Sequence, residues 1–144
     1  MHAPERLDGL RVVATPDALD HAWFEGDVVV FRIAHDEVIA FGAVVAEVPD
    51  EHAIVERETA FVGWGLSYPE FDDLVARHVE WPLPTERPAL AQGMAAGLPV
   101  KLWFEHDRVL LVVSSGFAHE VVERFRLPAF AESVKKQDTR RMRA

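Results

Sequence analysis

Two stretches of the chain, 71 residues apart, follow one pattern. Gly26-Asp-Val-Val-Val-Phe-Arg-Ile-Ala-His35-Asp36-Glu-Val38 is matched by Gly97-Leu-Pro-Val-Lys-Leu-Trp-Phe-Glu-His106-Asp107-Arg-Val109. Gly26/Gly97, Val29/Val100, His35/His106, Asp36/Asp107 and Val38/Val109 coincide. In each, an apolar run meets a polar His-Asp turn and returns as a second apolar run, which is the signature of a β-hairpin. The offset is close to half of the 144 residues. The chain therefore reads as two related halves, about 10–57 and 58–127, within one compact domain over 1–134.

The chain is 49% apolar and 27% charged, so it can bury a core. It has no cysteine, which removes disulfides, thiolate metal sites and a cysteine nucleophile. No apolar run approaches the roughly 20 residues that span a bilayer. The start, MHAPERLDG, has no apolar core of a secretory signal, and the expected location is the cytoplasm. The net charge is −9, yet residues 135–144 carry Lys135, Lys136, Arg140, Arg141 and Arg143 against Asp138. The remaining residues are strongly acidic and repel phosphate backbones, so nucleic acid is not an expected partner. Residues 135–144 read as a basic flexible tail, with Lys135, Lys136, Arg140 and Arg141 as the candidate partner-binding residues.

Local patterns define the elements. Leu10 to Ala14 is a short apolar run. Thr15 at N-cap and Pro16 at N1 open a helix expected to reach Phe24, with Leu19, Ala22 and Trp23 inward and Gly26 as its stop. Val28–Ile33 and Val38–Phe41 form the first hairpin. Pro49-Asp50-Glu51 is a turn, His52–Glu56 a short strand candidate, and Glu56-Arg57-Glu58 a solvated turn before a strand over Thr59–Leu66. Ser67-Tyr-Pro-Glu70 is a capping box, and the helix it opens is expected to reach Trp81. Phe71, Leu74, Val75, His78 and Trp81 share its inner face. Pro88 to Ala96 reads as strand, with an Ala-rich helix as the alternative. Val100–Phe104 and Val109–Ser114 form the second hairpin, after which Ser115 caps a helix presenting Phe117, Val121, Val122 and Phe125 inward. Strands outnumber helices and are mostly hairpin-linked. The expected class is α+β, largely antiparallel, with about three helices.

Candidate chemistry is sparse. His35 and His106 at the hairpin tips are the weak metal candidates, but no ligand spacing accompanies them. Ser114, Ser115 and Gly116 follow a strand and open a helix, a place where an anion could rest on backbone amides. No Gly-x-Ser-x-Gly, dinucleotide fingerprint or phosphate loop is present. His78 reads as a partly buried core histidine and His119 as a surface residue. No catalytic set and no cofactor is expected, and the chain reads as a non-enzyme by itself.

Three segments carry a resemblance. Val30-Phe-Arg32-Ile-Ala-His-Asp36-Glu37-Val-Ile-Ala-Phe-Gly42 is similar to an "R-l-x-P-D-E-x-L-L-x-G" hairpin, with His35 in place of Pro. Phe61-Val-Gly-Trp-Gly-Leu-Ser67, then a helix and Trp81-Pro82-Leu83, is similar to a strand-helix segment ending in an apolar-proline turn. Ala91-Gln92-Gly-Met-Ala-Ala96-Gly97-Leu-Pro99-Val100-Lys-Leu-Trp103, then Leu111-Val-Val113-Ser-Ser-Gly-Phe117-Ala118, is similar to "a-Q-T-x-l-A-G-v-P-v-l-l-w … l-l-V-x-R-S-y-A". Gly93 stands where that pattern has Thr. Together, over about 10–127, the chain resembles the gamma subunit family of heterotetrameric sarcosine oxidase, related to the folate-binding domain of the glycine-cleavage T-protein. The resemblance implies two ferredoxin-like halves. It also implies a non-catalytic accessory chain beside larger subunits that hold flavin, NAD and folate. Expected partners are larger flavoenzyme subunits or a second copy. The competing expectation is a stand-alone binder of a folate-like small molecule in a groove between the halves.

Overall fold

The computed structural model describes residues 3–130. The chain divides into two compact units, one spanning Arg6–Phe61 and the other running from Val62 onward together with the residues up to Glu5. Among the described residues the class is α+β, rich in antiparallel strands, with three α-helices.

The Arg6–Phe61 unit contains most of β1 (Glu5–Val13), α1 (Pro16–Asp20), β2 (Trp23–Phe24), β3 (Val29–Ala34), β4 (Glu37–Phe41) and β5 (Ala46–Glu47). The long strand β6 (Ile54–Leu66) begins in it. β3 and β4 form the hairpin about His35-Asp36, and β4 returns to pair with β1, so the order is β3-β4-β1 with β6 on the far side of β1. The hairpin register slips by one residue between Arg32 and Ala34. β2 and β5 make a separate antiparallel ribbon, Trp23 opposite Glu47 and Phe24 opposite Ala46.

The helix α1 is shorter than its pattern suggests. Thr15 caps it, its hydroxyl accepting from the Ala18 amide, and His21 closes it. Trp23 and Phe24 leave the helix to pair with β5, and the Glu25 amide donates to Val45 O at 3.2 Å. Phe24 consequently packs on the core of Val12, Ala14, Ala18, Leu19 and Val38, while Trp23, expected inside, is 52% exposed. On the other face of the hairpin Phe31, Phe41 and Phe61 meet edge to face at 5.1 and 5.8 Å.

Glu56-Arg57-Glu58 is not a turn but part of β6. Its charge is accommodated across strands. Arg11 on β1 donates to Glu58 Oε1 from Nε at 2.9 Å and Nη2 at 2.7 Å, and its Nη1 donates to Glu37 on β4. Burial opposes the charge on Arg11, and the bonds to Glu58 and Glu37 outweigh it, so its pKa is raised.

The second unit contains the end of β6, α2 (Tyr68–Leu74), β7 (Ala89–Ala95), β8 (Leu98–Phe104), β9 (Val109–Ser114) and α3 (Ala118–Phe125), with strand order β6-β9-β8-β7. Within Pro88 to Ala96 the chain is thus strand, from Ala89 to Ala95, and not helix. The capping box forms in full: Ser67 Oγ accepts from the Glu70 amide and Glu70 accepts from the Ser67 amide. The helix ends at Leu74 rather than Trp81. A 3-10 turn over Ala76–His78 tightens the chain, with the His78 amide donating to Val75 O. Phe71 and Val75 are buried, whereas Leu74 and Trp81 are only half-buried. Trp64, Phe71, Phe104, Leu111, Val121 and Phe125 build the core. Trp64 donates from Nε1 to Pro128 O at 2.9 Å.

Both units share one connectivity. A strand leads into a helix capped by Thr15 or Ser67 with proline in its first turn, and a hairpin follows whose second strand returns to the first. Gly26 and Gly97, at matched places, both have positive φ, 96° and 78°. The strand order is nevertheless not ferredoxin-like. That arrangement needs β-α-β-β-α-β with a strand after the second helix. Here β7, β8 and β9 are a hairpin-linked meander, and α3 follows the last strand of the unit.

Two mutations test this account by chemical denaturation. Phe71→Ala should cost about 3–5 kcal/mol, and Leu74→Ala, half-buried, clearly less. Equal losses would place the helix face wrongly. Arg11→Ala should cost roughly 1.5–3 kcal/mol, because it leaves Glu37 and Glu58 adjacent without their donor. A raised folded pKa keeps its stabilisation below the unfolded arginine value for as long as Glu37 and Glu58 are ionised, so the loss should show at neutral pH and shrink in acid.

Candidate functional site

His35 and His106 lie exposed at the two hairpin tips, one in each unit. Among the described residues no group of three or more His, Asp or Glu side chains is gathered as a metal would require. Ser114 ends β9, and Ser115 and Gly116 begin a 3-10 turn that leads into α3. All three are exposed. Ser115 does not cap α3, whose N-cap residue is Phe117 and carries no side-chain cap bond. Lys135, Lys136, Arg140 and Arg141 lie outside the described residues. His78 is half-buried, its ring edge to face with Phe125 at 5.3 Å. His119 is exposed beside Glu123.

What stands out in the Arg6–Phe61 unit is the outer face of the β2–β5 ribbon. Side chains alternate across a strand, so the register that sends Phe24 and Ala46 inward sends Trp23, Glu25, Val45 and Glu47 outward. Trp23 is 52% exposed, Val45 43% and the neighbouring Val44 75%. His21, Trp23, Glu47, Val48 and Pro49 line an open depression of about 430 Å³. The loop below is pinned: Asp50 accepts from the amides of His52 at 2.9 Å and Thr15 at 3.1 Å, which hold its carboxyl below the usual range. The loop after β5 is thereby tied to the start of α1. Sequence periodicity misses this face because it assigns Trp23 to the inside of a helix. The visible signal is the alternation of Trp23, Phe24 and Glu25, which suits a strand as well as a helix end.

The second unit has an open groove of about 400 Å³ bordered by Arg77, His78, Trp81 and Met94. Trp81 forms its wall. Its Nε1 donates to Met94 O at 2.8 Å, and its ring lies on Gly93, where an added Cβ would sit 2.5 Å from the indole. An aromatic side chain thus fills the space that a strand glycine leaves open. Below the groove Ala96 and Gly97 form the two-residue β7–β8 turn with φ of 50° and 78°. Both central residues of such a turn need positive φ. Arg124 from α3 steadies it by donating to Ala96 O at 2.6 Å.

No protein-family model, no curated protein and no solved structure matches the chain. Among the described residues no helix is long and apolar enough to cross a membrane.

The groove wall is tested through Gly93. Gly93→Ala should cost about 1–3 kcal/mol, because the indole has to move off β7. Combined with Trp81→Ala the added loss should largely vanish. Additive losses in the double mutant would show that Trp81 does not press on Gly93.

Proposed function

We propose that this chain is a non-catalytic interaction module, an accessory subunit of the kind its sequence resembles in heterotetrameric sarcosine-type amine oxidases. The observation that carries the reading is the outward face of the β2–β5 ribbon, where a tryptophan and two valines face solvent beside carboxylates. Large aromatic side chains are enriched where proteins meet, and exposed apolar groups rimmed by polar ones mark such contacts. The repeated strand–capped helix–hairpin connectivity supports descent of the two units from one duplicated segment. In this reading the reaction chemistry belongs to larger, flavin-bearing subunits, and the basic segment around Lys135, Lys136, Arg140 and Arg141 supplies charge for docking.

A second reading has an observation of its own. The groove beside Trp81 offers an aromatic wall that suits the flat ring of a folate-like ligand, with the guanidinium of Arg77 for a carboxylate and the carboxylate of Glu80 for a ring N–H donor. The two readings separate on the purified chain. As an accessory module it should carry no flavin absorbance and show no oxidase activity. Folate-like compounds should leave its melting temperature unchanged, while larger flavoenzyme subunits should bind it. Stoichiometric flavin, or a saturable rise in melting temperature with a folate, would sink the accessory reading.

A further inference from the structure

The ribbon face has a chemistry that selects its occupant. The segment Arg6–Phe61 carries twelve carboxylates against four arginines and contains no lysine, a balance of −8. The described part of the other unit from Val62 to Phe130 has nine carboxylates against six basic residues, a balance of only −3. Two of the four arginines in the acidic unit are committed internally, Arg11 to Glu37 and Glu58 and Arg32 to Asp20. The acidic field therefore stays largely uncompensated from within that unit.

On the ribbon this field meets an exposed indole. Glu47 stands directly across from Trp23, and Glu25 lies two residues along on the same face. An indole with carboxylates at its edges attracts a guanidinium or ammonium group. The cation is drawn to the ring face while the carboxylates accept its N–H donors. Val44 and Val45 add apolar surface for an alkyl stem. The depression between His21 and Pro49 is open, which suits a side chain entering from a separate segment rather than an enclosed metabolite.

The chain itself carries a segment of that chemistry. Residues 135–144 hold five Lys and Arg against one Asp, with Met142 among the arginines. We infer that the Trp23 face of the β2–β5 ribbon binds the basic 135–144 segment of a second copy of this chain. Reciprocal exchange of the two segments closes a two-fold dimer. The inference rests on the interaction-module reading and names its partner, and it can fail while that reading stands.

Light scattering on the full chain tests it. The chain should be dimeric at about 0.05 M salt and dissociate at about 0.5 M, where exposed charges are screened. Trp23→Ala should weaken the dimer by about fivefold or more. Glu25→Gln with Glu47→Gln, which leaves the indole in place, should weaken it about fivefold at low salt and little at high salt. Full-length chain carrying Lys135→Ser, Lys136→Ser, Arg140→Ser and Arg141→Ser should be monomeric and should bind an added synthetic 131–144 peptide. That binding should be lost when Trp23→Ala is added. A monomeric wild-type chain at low salt overturns the second-copy occupant, and if the peptide still binds the serine variant the contact belongs within one copy. A dimer indifferent to Trp23→Ala and to the four serine substitutions overturns the site. Flavin or folate binding would instead bear on the wider accessory reading and leave this measurement unaffected.

Discussion

From Val38 to Phe41 and from Val109 to Val113 every side chain is buried. A strand with two apolar faces has to be covered on both, and an interior place in the sheet suits it. Much of each unit follows from that requirement. β4 lies between β3 and β1, and β9 between β8 and β6. Each return strand of a hairpin therefore pairs with the strand that precedes the helix. In the Arg6–Phe61 unit one face of β4 joins Val12, Ala18 and Leu19, and the other carries Phe41 into contact with Phe31 and Phe61. In the second unit Val109, Leu111 and Val113 join Trp64, Phe71 and Phe125.

Arginines finish what burial begins. Arg11 lets two acidic positions occupy neighbouring strands. Arg32 donates to Pro16 O and His35 O and pairs with Asp20, fastening α1 to the first hairpin tip. Arg124 holds the β7–β8 turn, and Arg87 lies over the rings of Tyr68 and Phe104 at 5.3 and 4.9 Å. Each long side chain reaches carbonyls or rings that short residues cannot, and its guanidinium stays near water. Among the described residues no buried side-chain nitrogen or oxygen lacks a partner.

The exposed Trp23 face is a consequence of the same packing. The chain places Phe24 inward to complete a small core, and strand alternation then turns Trp23 outward. An exposed aromatic residue on an acidic unit is the feature from which the proposed recognition role is argued. The proposed reading of this chain as an accessory module rests on that surface and on its resemblance, and the proposed partner is argued from charge.

The sequence alone was enough for the α+β class, both hairpins, the capped starts of α1 and α2, and burial of Val121 and Phe125, and it left Pro88 to Ala96 open between strand and helix. These depend on near neighbours: period-two alternation, Thr or Ser before an early Pro, and glycines where φ turns positive. Tertiary structure decided the rest. It ended α1 at Asp20 because pairing with β5 gave Trp23 and Phe24 more than one further helical turn offered. It drew Glu56-Arg57-Glu58 into a strand because Arg11, 47 residues from Glu58, stands across from it. It shortened α2 so that His78 meets Phe125 and Trp81 covers Gly93. It set strand orders that are not ferredoxin-like. Each of these outcomes turns on contacts between residues far apart in the chain, and local pattern carries no record of them.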